Sequence, residues 1–108
     1  MTYEKSLAQR FQAVGNYLDS IEYNLAEQTL EIIILDYRDP SLKKIAARMR
    51  FNGILYFTEH IDYIEYDAYE IILRLNEYNK DKGTEYELCT DKRNFIFYSE
   101  FDPVLEIA

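Results

Sequence analysis

The sequence predicts an α+β fold: an N-terminal helix followed by a mostly antiparallel, curled meander sheet of about six strands. Three observations carry this. Apolar residues recur at helical spacing only over the first eighteen positions. From Tyr17 onward they alternate with a period of two. The breaks between the alternating runs are short, and short connections favour antiparallel neighbours.

Leu7, Phe11, Val14 and Leu18 follow one another at spacings of four, three and four, with Ala8 and Ala13 beside them. That is one apolar helix stripe. Gly15-Asn16 supplies a stop, so the spacing predicts a helix over 3–14. "LDSIEYNLAEQTLEIIILDYRD" reads as two strands around Ala26-Glu27-Gln28. Ile21, Tyr23 and Leu25 alternate in the first strand. Leu30, Ile32 and Ile34 alternate in the second, with Ile33 and Leu35 on its other face. A strand apolar on both faces is a central, covered one, and the N-terminal helix is a candidate cover.

Asp39-Pro40-Ser41 reads as a turn. In "KKIAARMRF", Ile45, Ala47, Met49 and Phe51 alternate with Lys44, Ala46, Arg48 and Arg50. Asn52-Gly53 has two readings: a tight hairpin, or a bulge within one long strand ending near Phe57. Residues 59–78 fit both periods. Ile61, Ile64, Ala68, Ile71, Ile72 and Leu75 make a helical stripe, whereas Tyr69, Ile71, Leu73 and Leu75 alternate as a strand. The favoured reading is an irregular or short helical segment to about 67, then a strand over 69–77. "TEYELCT" and "NFIFYSEF" form a hairpin across Asp91-Lys92-Arg93, and "VLEI" adds a short terminal edge after Pro103.

A chain of 108 residues is read as a single domain spanning 1–108. Hydrophobic residues make up 48%, too many for a disordered chain. The lone cysteine, Cys89, allows no intrachain disulfide. The N-terminus lacks a signal-peptide pattern, and no run of about 18 apolar residues occurs. The expectation is a cytoplasmic protein that does not engage a membrane.

Net charge is −8, and its placement is uneven. Residues 1–58 hold seven acids and seven bases, whereas 59–108 hold thirteen acids and five bases. "EHIDYIEYDAYE", residues 59–70, alone contains five carboxylates and three tyrosines and no lysine or arginine. Such a field opposes nucleic acid, whose phosphates are met by Lys and Arg, and favours a basic protein partner.

No pattern of residues announces catalysis. His60 is the single histidine and is read as a surface residue near acids. No metal-ligand spacing or EF-hand loop occurs, so neither a metal nor a cofactor is expected. Cys89 sits in an alternating strand as a small buried or half-buried residue. None of the four serines lies in a nucleophile elbow, and the three glycines stand too far apart for a phosphate loop. Lys43, Lys44, Arg48 and Arg50 are read as a solvated strand face that pairs with acidic neighbouring strands.

Residues 17–101 resemble small β-rich immunity proteins of bacterial polymorphic toxin systems. The likeness is carried by the "IEYNLAEQTLEIII" hairpin, a third strand ending in "RFNGILYF", and the closing hairpin "YELCTDKRNFIFYSEF". The resemblance implies a cytoplasmic protein that binds and blocks a cognate toxin, often a nuclease, without catalysis or cofactor.

The expected function is therefore a non-enzymatic acidic binding module, an immunity- or antitoxin-like inhibitor of a basic toxin. Glu59, Asp62, Glu65, Asp67 and Glu70 would attract the toxin, and Tyr63, Tyr66 and Tyr69 would supply buried contact. The alternative is a small structural protein that self-associates, as a homodimer for example.

Overall fold

The computed structural model describes residues 7–11, 13–36, 44–61 and 69–107. Eight strands account for nearly all of it, paired antiparallel in one sheet. They are β1 (Tyr17–Asn24), β2 (Thr29–Leu35), β3 (Ile45–Asn52), β4 (Ile54–Ile61), β5 (Glu70–Lys80), β6 (Gly83–Thr90), β7 (Arg93–Ser99) and β8 (Val104–Ile107).

The α+β expectation is overturned: the described residues are all but entirely β. The described helical residues are Leu7–Phe11, little more than one turn, and they build no layer. Of the helix expected over 3–14, the described residues keep only Leu7–Phe11, and Gly15-Asn16 beyond it joins the sheet. The Gly15 N–H donates to the Ile72 carbonyl and the Ile72 N–H donates to the Asn16 carbonyl, both at 2.8 Å. Bonding to β5 withdraws this segment from any helix. Gly15 adopts φ +90°, and Leu18 is buried as a residue of β1. Val14, the third member of the supposed stripe, is 55% exposed. The expected turn at Asp39-Pro40-Ser41 lies outside the described residues.

The strand order is β4-β7-β6-β5-β1-β2-β3-β8, which corrects the expected meander. Two three-stranded meanders are present, β1-β2-β3 and β5-β6-β7. The strand following each one joins the edge of the other: β4 pairs with β7, and β8 pairs with β3. Between β1 and β5 only Tyr17↔Ile71 and Leu18↔Glu70 are paired. The sheet therefore folds over into two halves, β1-β2-β3-β8 and β5-β6-β7-β4, and its edges β4 and β8 stay separate.

The inward positions of both halves form one core. Leu30, Ile32 and Ile34 of β2 and Met49 and Phe51 of β3 meet Ile72, Leu88, Phe95 and Phe97 from the other half. Phe51 lies edge-on to Tyr86 and Phe97, each at 4.9 Å between centroids. Burying each such side chain is worth about 1.5–3 kcal/mol. Leu7 also enters this core, and its N–H is held by both carboxylate oxygens of Glu77 on β5 at 2.9 and 3.0 Å. A register shift between Ile72 and Arg74 breaks the alternation of β5. Ile72 and Leu75 consequently both point inward, while Leu73 is 54% exposed.

Asn52-Gly53 makes no hairpin. The chain bends there at Gly53 (φ +68°) and carries β4 from the first half to the second. The crossover from β7 to β8 packs against the same bend. Glu100 N–H donates to the Gly53 carbonyl at 3.0 Å, and Ser99 Oγ donates to the Asn52 carbonyl at 2.8 Å. Among the described residues, no helix is long and apolar enough to cross a membrane.

Candidate interaction surface

Strand pleating leaves one face of β4-β7-β6-β5 turned outward. The pairing registers align its residues in three rows of four. Nearest the Gly53 bend is Tyr56–Tyr98–Glu85–Tyr78. Next comes Thr58–Ile96–Glu87–Asn76, and then His60–Asn94–Cys89–Arg74.

The first row is the most structured. Tyr56 stacks on Tyr98 with centroids 5.7 Å apart and planes at 26°, and its hydroxyl donates to Glu85. That bond, together with slight desolvation and the Glu85 charge, pushes the Tyr56 phenol up to about 12. The Tyr98 hydroxyl accepts the Lys82 N–H at 3.2 Å. Tyr56 and Tyr98 with Leu55, Glu85 and the Asn79–Lys82 turn line an open groove of about 620 Å³. Tyr56 and Tyr78 remain 41% and 46% exposed. In the lower rows Asn76 Nδ2 donates to Glu87 at 2.9 Å, and the Cys89 thiol, buried, donates to Asn94 Oδ1 at 3.1 Å.

The opposite end of this half holds what is described of the acidic stretch. Glu59 ends near Arg93 Nη1, at 3.1 Å. Glu70 receives Arg93 twice, Nε at 2.9 Å and Nη2 at 2.5 Å, and the Thr90 hydroxyl at 2.5 Å. Burial alone would raise the Glu70 carboxyl, but the bonds from Arg93 and Thr90 and the charges of Arg93 and Lys92 outweigh it. The group is held below the usual carboxylate range. Arg93 also lies over the Phe95 ring at 4.8 Å. Tyr69 packs against Tyr17 at 5.3 Å, and its carbonyl accepts the Lys92 ammonium.

Of the eight residues expected to bind a partner, the structure brings Glu59 and Glu70 together on one guanidinium and sets Tyr69 beside them. Asp62, Tyr63, Glu65, Tyr66 and Asp67 lie outside the described residues. The stretch has no lysine or arginine of its own, and the fold supplies Lys92 and Arg93 from the β6–β7 turn. Tyr56, Tyr78, Glu85 and Tyr98 escaped the sequence reading because they come from four separate strands. Placing the closing hairpin in register would have aligned Glu85 with Tyr98; the other two need the β4 crossover and the β5 bulge.

A second depression of about 790 Å³ follows the β1–β2 hairpin. Glu22, Glu27 and Glu31 line it with Arg50, which is bound to Glu31 at 3.0 Å. Leu25 at the hairpin tip is 74% exposed. The Arg50–Glu31 pair is the expected match between a basic strand face and an acidic neighbour; Lys43 lies outside the described residues.

No family model matches the chain, and no curated protein matches it. Among solved structures, it is similar to an uncharacterized protein from Neisseria gonorrhoeae known from a crystal structure. The TM-score is 0.63 and the identity 15%, over 88% of this chain and 93% of that one. That likeness shows a shared fold.

Proposed function

We propose that the chain is a non-enzymatic binding module for a cationic protein, acting in the bacterial cytoplasm as an immunity- or antitoxin-like inhibitor. The observation that carries this reading is the Tyr56–Tyr98–Glu85–Tyr78 row. Tyrosine gives a large, fairly rigid contact area with a polar tip, which is why it is enriched at interface hot spots. A carboxylate set among the rings favours partners that present lysine or arginine. The net charge of −8 adds long-range attraction for such partners and repels nucleic acid. Inhibition would follow from occupying a basic groove that otherwise receives phosphate.

The test begins with the full chain as bait in an extract of its source cells. The expected captive is a basic protein whose association rate falls steeply as salt rises. Tyr56→Ala with Tyr78→Ala should accelerate dissociation by roughly tenfold or more, whereas Leu25→Ala leaves it unchanged. An acidic captive, or a basic one indifferent to both tyrosines, would overturn the assignment of this face.

A further inference from the structure

We infer that the tyrosine row is an arginine receptor: the groove beside Glu85 takes one guanidinium of the partner, stacked on the Tyr78 ring and bonded to the Glu85 carboxylate. This rests on the reading of that face as the binding surface and names the side chain it selects. The reasoning starts from how carboxylates are met elsewhere in the sheet. Glu31 meets Arg50 at 3.0 Å and Glu87 meets Arg74 at 3.9 Å, while Arg93 meets both Glu59 and Glu70. Glu85 meets no cation among the described residues. Its hydrogen-bond partner there is the Tyr56 hydroxyl, a neutral donor. A carboxylate offers about four lone-pair sites, so most of the bonding capacity of Glu85 stays available to the groove it lines.

The surroundings of Glu85 suit a cation. Lys80 and Lys82 border the same groove, but both are exposed and neither is paired with Glu85. Their ammonium groups turn freely into water, where their charge is screened. Glu85 is half-buried and held in place by Tyr56, so its charge acts from a fixed position. The strand registers set it directly between Tyr78 and Tyr98. Tyr98 gives one ring face to Tyr56. Tyr78 is 46% exposed and stacks on no other ring among the described residues, so its face is available to a ligand.

The occupant is arginine rather than lysine because the site pairs a carboxylate with an aromatic face. A guanidinium is planar and weakly hydrated, so it stacks on a ring while its edge N–H groups reach a carboxylate. An ammonium is compact and strongly hydrated, and gains less from the ring. The fold itself holds a guanidinium in this way at its other end. Arg93 lies over the Phe95 ring at 4.8 Å and bonds Glu70 through Nε and Nη2. Glu85 and Tyr78 offer the same two elements to a side chain from outside.

NMR titration of the full chain with end-blocked Gly-Arg-Gly tests this, with the lysine and citrulline tripeptides as comparisons for charge and for shape. The arginine peptide should move the ring signals of Tyr78 and Tyr98 and bind roughly tenfold more tightly than either comparison. Glu85→Gln and Tyr78→Leu should each weaken it about tenfold. Glu31→Gln, which alters a carboxylate already met by Arg50, should leave it unchanged, and circular dichroism should show all three variants folded. An arginine peptide that binds no better than the lysine or citrulline one, or whose binding survives Glu85→Gln, would overturn the inference. Capture of a basic protein through Tyr56 and Tyr78 can succeed in that event, and can fail while the peptide preference holds, so the two readings fall separately.

Discussion

The two ends of the β4-β7-β6-β5 half are held by opposite means. At the Gly53 bend, main chain packs directly on main chain. A Cβ added to Gly83 would lie 2.1 Å from the Ser99 carbonyl oxygen and 2.9 Å from Glu100 Cα. At the other end Arg93 spans the end of β4 and the start of β5 through Glu59 and Glu70. The first end is steric and indifferent to pH, and the second is electrostatic. The tyrosine row sits at the steric end, where its strands have the least freedom to move apart.

The largest expected effect comes from the steric end. Gly83→Ala forces backbone to shift and should cost about 3 kcal/mol, at the upper range for overpacking. Gly53→Ala should cost less, about 1–2 kcal/mol, although its φ of +68° is strained for alanine. The clash there is with the Phe101 ring at 2.7 Å, and that ring is 60% exposed and able to swing away. Urea midpoints of the two variants check the order. If Gly53→Ala were the worse, backbone strain rather than packing would dominate the bend.

Next comes the electrostatic end. Arg93→Met leaves Glu70 half-buried with only Thr90 to bond it, and should cost about 2 kcal/mol. The figure stays below that for a fully buried pair because both Arg93 and Glu70 keep some contact with water. Chemical denaturation at neutral pH measures it.

The pH dependence of stability belongs to the same cluster. The Glu70 carboxyl titrates lower in the folded chain than its ordinary value of 4.5. The native state therefore binds fewer protons, and the stabilisation is complete above that ordinary value. It is lost as pH falls through the lowered folded value. Stability measured at about pH 6 and about pH 3 should drop less in Arg93→Met than in the parent chain, and Gly83→Ala should drop as much as the parent. A parent-like drop in Arg93→Met would remove Glu70 from the acid response.

The same contrast explains what could be read from the sequence. Strands with strict alternation were legible: Leu30, Ile32 and Ile34, or Ala47, Met49 and Phe51, point inward as their spacing says. So were hairpins closed by local turns, as at Asn24–Thr29 and Asp91-Lys92. The helix was not, because the Leu7–Leu18 spacing reflects two separate burials, one in a helical turn and one in β1. Asn52-Gly53 signals left-handed backbone, which a hairpin and a corner both require. Local sequence cannot say which, because the partner of β4 is β7, more than thirty residues away. Burying ion pairs are likewise non-local: nothing in "EHIDYIEYDAYE" indicates that Arg93 will bind both its first and last carboxylates.

The smallest effect falls on the tyrosine row, and it separates surface chemistry from stability. Tyr56 is 41% exposed, so Tyr56→Phe should change stability by no more than about 0.5 kcal/mol. Its titration should respond far more. The phenol is raised to about 12 chiefly by its bond to the Glu85 carboxylate. Glu85→Gln removes that charge and should bring the phenol back toward 10.0, its ordinary value. Tyr86, also raised to about 12 but first by burial and then by Glu77, should stay high in the same variant. Ring carbon shifts followed by NMR through alkaline pH, with Tyr56→Phe to assign the resonance, distinguish the two. Two tyrosines moving together would mean that Glu85 acts through the packing of β6 rather than through a direct bond on its outer face.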